Sequence, residues 1–386
     1  MMWWSGSLDS EHRAIVKSLD ALAASHITSE QCADWDERGA YPHEAMDALA
    51  AGSWARLPVP ESYGGAGASA LDLAVVHEAL ARHSLAVAQS YYSLWVLGAE
   101  AINRLGTEQQ RAHWLPLLAD GRARIAFALT EPGSGSDASA MRTRATVTNG
   151  GFSVTGQKVF ITGAKVADRI ITAVRTKTGE RPQDGITLLM IDPNSSGVTI
   201  RPLRKVGLRA LDLCEVFFDD VPASEADIVG PRHDAWRALR AGLSKERLFL
   251  AAISAGALFD LVGRTLEHAR TRTTFGKTIG SHQLVAEKIV RMRLAADAAA
   301  AMVKEAAVAV DLGDRDAAAT ASAAKMYASE AYVSAAREAV QIFGGYGFTE
   351  DYPVARHYRD CKYLEIGGGT SEIQTIVIAR SMGLLA

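Results

Sequence analysis

The sequence predicts a mostly α protein with a central β-domain, in three parts. These are an N-terminal helical domain over residues 1–122, a middle β-barrel over 123–232 and a C-terminal four-helix bundle over 233–386. Three observations predict it. Apolar residues recur at helical spacing up to about residue 121, and short runs of β-formers between tight turns follow up to about 221. Alanine-rich helical grammar resumes near 235 and holds to the end.

In the first part, Ile15, Leu19 and Leu22, then Met46 and Leu49, then Leu71, Leu73, Val76 and Leu80 mark helical faces. Proline and glycine at 58–60 and 63–65 punctuate them, and Ser69 or Asp72 is placed to cap the helix that follows. The β part reads as strands at 124–130, 152–156, 170–174, 186–191 and 215–221. No helix-length segment lies between these strands, so the spacings suit an all-β unit better than a βαβ arrangement. In the last part, Ala251, Ala255, Leu258, Leu261 and Val262 trace one face of a long helix. Residues 295–310 and 317–340 are rich in alanine, which permits close helix packing.

Length and composition narrow the class. The chain has 386 residues, 48% of them hydrophobic, with 41 basic against 44 acidic side chains. A core of good size is available, wholesale disorder is excluded, and nothing basic invites nucleic acid. Three distant cysteines, Cys32, Cys214 and Cys361, fit a reducing cytoplasm better than a disulfide framework or a zinc site. The start MMWWSGSLDSEHR lacks the pattern of a secretory leader, and the apolar run 248–259 is too short to span a bilayer, so a soluble protein is expected. His77 and His83 lack the HExxH spacing of a metal site, and neither a GxSxG elbow nor a Walker loop occurs.

Five segments are candidates for chemistry. TEPGSGSD at 130–137 follows an apolar strand; its glycines and serines offer backbone N–H groups and hydroxyls to a polar ligand, or form an ordinary turn. KVFITG at 158–163 sets an aromatic ring beside a hydroxyl, which suits a flat heteroaromatic ligand or a β-edge with a core phenylalanine. EIGGGTSEIQ at 365–374 is a glycine loop opening a helix, with Ser371 and Gln374 spaced as a capping box; such a terminus attracts phosphate. RTRTTFGK at 270–277 ends a helix with basic groups, and QIFGGYG at 341–347 opens the backbone to close approach. Both also read as solvated helix ends.

Taken in this order, the five segments resemble those of the acyl-CoA dehydrogenase family of flavoproteins, from about residue 10 onward. The resemblance implies the three domains above, assembly as a tetramer or dimer, bound FAD, and oxidation of an acyl thioester to its α,β-enoyl form. The thioester is carried by CoA or by an acyl carrier protein, and an electron-transfer flavoprotein is the implied acceptor. By that likeness Thr130 and Ser136 contact the flavin and its phosphates, Phe160 covers one flavin face where many relatives carry tryptophan, and Thr162 bonds near N5. Arg272, Phe275, Gln341 and Gly345 reach the FAD of a neighbouring subunit, while Thr370 and Glu372 lie at its diphosphate and adenosine end. Tyr92, Trp95, Ser136 and Arg247 are the implied substrate contacts; ordinary helix packing accounts for the two rings equally well.

The base is the informative departure. Many members of the family place a catalytic glutamate just before the loop's Gly-Thr pair, and here that position is Gly368. The isovaleryl-CoA type places it on a helix before an arginine, and this chain reads Lys245-Glu246-Arg247-Leu248 there. Glu246 is therefore the expected base, with Gly368 supplying a backbone N–H to the thioester oxygen. Its alternative is a surface glutamate paired with Arg247 or a neighbour. Glu365 is a rival carboxylate at a poor offset, and Glu131 is expected to brace its turn. Two other functions stand beside dehydrogenation: a flavin-dependent monooxygenase on the same fold, and a flavin-binding scaffold without turnover.

Overall fold

The computed structural model describes residues 9–385. The leaderless reading of the N-terminus therefore rests partly on residues 1–8, which lie outside the described residues.

The N-terminal part holds seven helices: α1 (Ser10–His26), α2 (Ser29–Arg38), α3 (His43–Ala51), α4 (Ala70–His83), α5 (Leu85–Tyr91), α6 (Leu97–Leu105) and α7 (Glu108–Ala119). Local chemistry starts several of them. Ser69 caps α4 and Asp72 answers from the third position, so the two expected caps work as one reciprocal box; Thr28 and Thr107 do the same for α2 and α7. Between α5 and α6 the helix widens into a π-turn at Tyr92–Val96, a feature no local sequence pattern announces.

The middle part is one eight-stranded sheet: β1 (Ile125–Ala128), β2 (Arg144–Thr148), β3 (Gly151–Thr162), β4 (Arg169–Arg175), β5 (Ile186–Ile191), β6 (Val198–Pro202), β7 (Leu213–Ala223) and β8 (Ile228–Val229). The path runs β6-β7-β3-β2-β4-β5-β8, with β1 laid parallel on β4. The sequence reading omits β2, β6 and β8. β2 and β6 are largely exposed and β8 has two residues, so none carries a buried alternating pattern. In β3 the pairing with β7 slips between Lys158 and Ile161, a bulge that bends the strand where it reaches the site.

The C-terminal part is built on α8 (Ala235–Thr271), α9 (Gln283–Asp311) and α10 (Ala317–Phe343). Between α8 and α9 lies a two-stranded ribbon of β9 (Thr273–Thr274) and β10 (Lys277–Thr278). Shorter helices follow: α11 (Pro353–Asp360), α12 (Lys362–Ile366) and α13 (Ser371–Ser381). By length and composition α8 is apolar enough to cross a membrane, but 78% of its apolar window is buried inside the protein. It is the central helix of the fold, packed on α4 and α10. Gly256 lets it close on α4, since a Cβ there would stand 2.1 Å from the Glu78 carbonyl oxygen.

Polar contacts lock the three parts together. Asp311 on α9 accepts the first N–H groups of α4, from Ala70 at 2.7 Å and Leu71 at 3.0 Å. Arg359 reaches from α11 to Asp36 of α2 at 2.5 Å, while within the C-terminal part His357 joins Asp260 at 3.0 Å to the Tyr332 hydroxyl at 2.6 Å. Asp360 accepts the Leu208 N–H of the sheet domain at 2.5 Å. Burial raises Asp360 from 3.8 to about 6, with the Leu208 bond opposing and Asp36 adding to the shift. The folded chain thus holds this proton more tightly than the unfolded chain. The resulting stability is complete below the unfolded value and lost as pH rises through about 6. Asp360→Asn, which keeps the acceptor, is expected to remove about 3 kcal/mol of this pH dependence. Urea denaturation of both proteins on either side of that window checks it.

Candidate active site

Two of the five candidate segments are fastened side by side by a buried ion pair. Glu131 and Ser134 exchange backbone bonds at 3.1 and 3.0 Å, closing the 130–137 turn. The Glu131 carboxylate accepts Arg142 N–H at 2.6 Å and Thr143 N–H at 2.9 Å. Lys158, fully enclosed on β3, reaches the same carboxylate at 2.8 Å and the Leu129 carbonyl at 2.9 Å. Val159 N–H binds the Thr130 carbonyl at 2.9 Å. Burial pushes the lysine down to about 8, against the pull of Glu131. Glu131 therefore braces its turn as expected, with a lysine that strand alternation places inward after Phe152 and Val154.

One residue past this brace the bulge turns Phe160 outward at φ +61°, with 59% of its surface exposed. The ring presents itself to a ligand and not to the core, and of its two readings the core one is set aside. Ser136 is exposed and Thr130 half-buried. Gly133 and Gly135 face open space, so the backbone of the turn is free to meet a ligand.

The second constellation forms where α8, the 367–370 loop and the π-turn meet. Gly368 has φ +65°, and a Cβ built there would come within 2.2 Å of Leu250 Cδ1 and 3.6 Å of Glu246 Cγ. The helix glutamate and the loop glycine are therefore neighbours. Glu246 is partly accessible, yet it lies deep enough that burial raises its carboxyl above the ordinary range, opposed by the charges of Arg247 and Lys325. Among the described residues no donor bonds the Glu246 carboxylate, so the surface ion pair with Arg247 is not formed. Arg247 is itself buried, and its Nε lacks a partner among the described residues.

Around this carboxylate stand Tyr92 and Tyr363. Burial and the charge of Glu246 hold the Tyr92 hydroxyl well above its usual range, and that buried oxygen has no partner among the described residues. Tyr363 on α12 is pushed up to about 12 by burial, partly offset by a hydrogen bond from Thr162 of β3. Trp95 lies elsewhere. It is wholly enclosed, edge-on to Tyr91 at 5.8 Å and beside Gly121, so helix packing describes it.

The loop itself is clamped. Gln374 donates to the carbonyls of Gly368 at 3.1 Å and Gly369 at 2.8 Å, while Lys325 donates to Gly369 at 2.7 Å and Glu365 at 3.3 Å. The expected Ser371–Gln374 capping box is not what forms. Thr370 caps α13 by accepting Ile373 N–H, which frees Gln374 to hold the loop. Glu372 is exposed in the first turn of α13.

Arg272, Phe275, Gln341 and Gly345 gather on an exposed edge, with Arg272 lying 5.5 Å from the Tyr346 ring centroid. Glu246 and Arg272 bracket most of α8, about 39 Å apart along its axis. The edge group is thus remote from the carboxylate of its own chain.

Comparison with known proteins agrees with this layout. Residues 9–122, 126–221 and 234–383 match the N-terminal, middle and C-terminal domains described for acyl-CoA dehydrogenase. The chain belongs to the acyl-CoA dehydrogenase family. An acyl-CoA dehydrogenase of Bacillus subtilis (strain 168) is 37% identical over 327 residues, 84% of this chain and 85% of that protein. The structure of butyryl-CoA dehydrogenase from Megasphaera elsdenii is similar with a TM-score of 0.92 at 30% identity, covering 97% of this chain and 98% of that one. The prolyl acyl carrier protein oxidase AnaB gives 0.91 at 27%, covering 98% and 100%; the FAD complex of PigA gives 0.92 at 28%, covering 98% of both chains.

Within this family member, sequence reasoning misses Lys325, Tyr363 and Lys158. Each is a polar side chain inside an apolar pattern, and for Lys158 and Lys325 that isolation is the signal to read. Lys158→Met strands a buried carboxylate and is expected to cost about 3–5 kcal/mol. Adding Glu131→Gln recovers much of that loss, as denaturant titration of the single and double variants measures.

Proposed function

We propose that this acyl-CoA dehydrogenase removes the α-proton of a short- or branched-chain acyl thioester with Glu246, in the arrangement of the isovaleryl-CoA type. The observation that carries the reading is the contact between Glu246 and Gly368. The carboxylate adjoins the loop position where other members keep their base, and it is partly buried with no donor bound among the described residues. Desolvation makes a carboxylate a stronger base, and an acyl chain covering it extends the effect.

FAD is the cofactor, and the residues present suit it. Phe160 offers an exposed ring, Thr162 lies at the end of the same strand, and the glycines of the 130–137 turn leave room for a backbone cradle. When bound, the flavin supplies the hydride acceptor for the β-carbon. Thr130, Ser136, Phe160 and Thr162 hold it from this chain, with Thr370 and Glu372 toward its diphosphate and adenosine. Gly344 and Gly345 face open space at the exposed edge, which suits a role for Arg272, Phe275, Gln341 and Gly345 at a neighbouring subunit's cofactor. The remoteness of that edge from Glu246 supports a homo-oligomer, dimeric or tetrameric.

The chain's own part in the step is proton removal and polarisation. The Gly368 N–H is the donor to the thioester oxygen, which raises the acidity of the α-carbon. Arg247 and Lys325 keep Glu246 ionisable despite burial. Tyr92 lines the acyl site through its unpartnered hydroxyl, and Arg247, next to Glu246 on α8, is the other substrate contact. Butyryl-CoA and prolyl-carrier relatives handle different thioesters, and a pantetheine arm looks the same near the chemistry, so either carrier fits. Electron-transfer flavoprotein is the proposed acceptor, and three buried, unpaired cysteines suit the cytoplasm.

Anaerobic mixing of the yellow holoenzyme with a panel of CoA- and carrier-linked acyl groups tests the reading. Wild type is expected to bleach, with a rate that climbs as pH passes upward through the raised value of Glu246. Glu246→Gln should keep its FAD and slow bleaching by about 10²- to 10⁴-fold. Silence toward every thioester overturns the proposal in favour of monooxygenation or a scaffold.

A further inference from the structure

Lys325 is a fully enclosed lysine on α10 whose ammonium donates to two neutral carbonyls, Gly369 of the glycine loop and Glu365 at the end of α12 just before it. A buried cation bonded only to carbonyls is costly unless a negative charge faces it. The carboxylates whose fields reach it are Glu246, Glu365 and Glu330, with Arg247 opposing. Glu365 is already engaged by Lys362 on its own helix. Glu246 is left as the leading counter-charge, held one residue from the lysine's own anchor because Gly368 is the neighbour of Gly369.

We propose that Lys325 is a positioning residue for this site: one ammonium clamps the glycine loop through its carbonyls and supplies the positive charge that the ionised Glu246 faces. The inference rests on the reading of Glu246 as the base and adds to it a source of control. Lys325 acts from beyond hydrogen-bond range, so it favours the ionised carboxylate without covering the oxygen that must take the proton. With Gln374 bonding the same loop, it fixes the backbone at Gly368 and Gly369, both at positive φ, and so the direction of their N–H groups.

The other titratable groups near Glu246 are the Arg247 cation on α8 and the neutral hydroxyls of Tyr92 on the π-turn and Tyr363 on α12; Glu100 acts on Tyr92 but is paired with Lys245 at 2.9 Å. Of these, Lys325 alone ties the loop and bears a cation. Burial pushes it down to about 8, against the pull of Glu246 and Glu365, so it is charged at neutral pH.

The test is infrared titration of the holoenzyme with ¹³C-carboxyl glutamate, the Glu246 band being assigned by its loss in Glu246→Gln. Lys325→Gln keeps a donor without the charge and is expected to raise the Glu246 midpoint by about one pH unit, while Lys325→Arg restores it. An unmoved midpoint in Lys325→Gln overturns the proposal. Coupling is reciprocal, so Glu246→Gln must also lower the titration of Lys325, read by NMR of ¹³Cε-lysine. That reading needs no folded Lys325→Gln, and an unchanged lysine overturns the proposal equally. Neither titration involves turnover. Loss of thioester bleaching in wild type with both shifts intact refutes the proposed reaction and leaves the positioning role standing.

Discussion

A carboxylate largely withdrawn from water and given no hydrogen-bond donor is a costly object for a fold to keep. Glu246 is tolerable because its neighbours act on it through space: Arg247 beside it on the helix, and Lys325 across the glycine loop. These charges oppose the burial, which favours the protonated form. The surrounding hydroxyls of Tyr92 and Tyr363 are themselves shielded and rise in proton affinity, so neither competes as an ionised group. The site is thus tuned by its packing as much as by the residues that touch a substrate.

That packing requires all three parts of the chain. The carboxylate comes from α8, Tyr92 from the N-terminal helices, and Thr162 reaches Tyr363 from the sheet. Gly163, next in the chain, has φ +70° and would carry a Cβ 2.7 Å from Leu94, so the strand end presses on the π-turn. The interdomain bonds of Asp311, Arg359 and Asp360 are remote from the carboxylate in sequence, yet they fix the frame in which these three contributions converge.

The order of helices, sheet and helices was legible because each part has its own hydrophobic period. The strands that escaped, β2, β6 and β8, are exposed or two residues long and leave no such trace. Glu246 and Gly368 were legible as a pair through a family likeness, since one lacks what the other supplies; nothing in local spacing says that they touch. The Gln374 clamp was misread because a capping pattern and a loop-holding glutamine have the same sequence. Lys158 and Lys325 were overlooked for a common reason. A lysine in an apolar run looks like a solvated tip until its partners, drawn from distant segments, are known.

The crowding at position 368 limits what can replace its glycine. A carboxylate set there meets a left-handed backbone and the buried tip of Leu250 together. It does not fit as a single substitution: it needs a smaller side chain at 250, and with Glu246 still present it brings two like charges close together. Leu250 and Gly368 thus bar a second carboxylate from the loop.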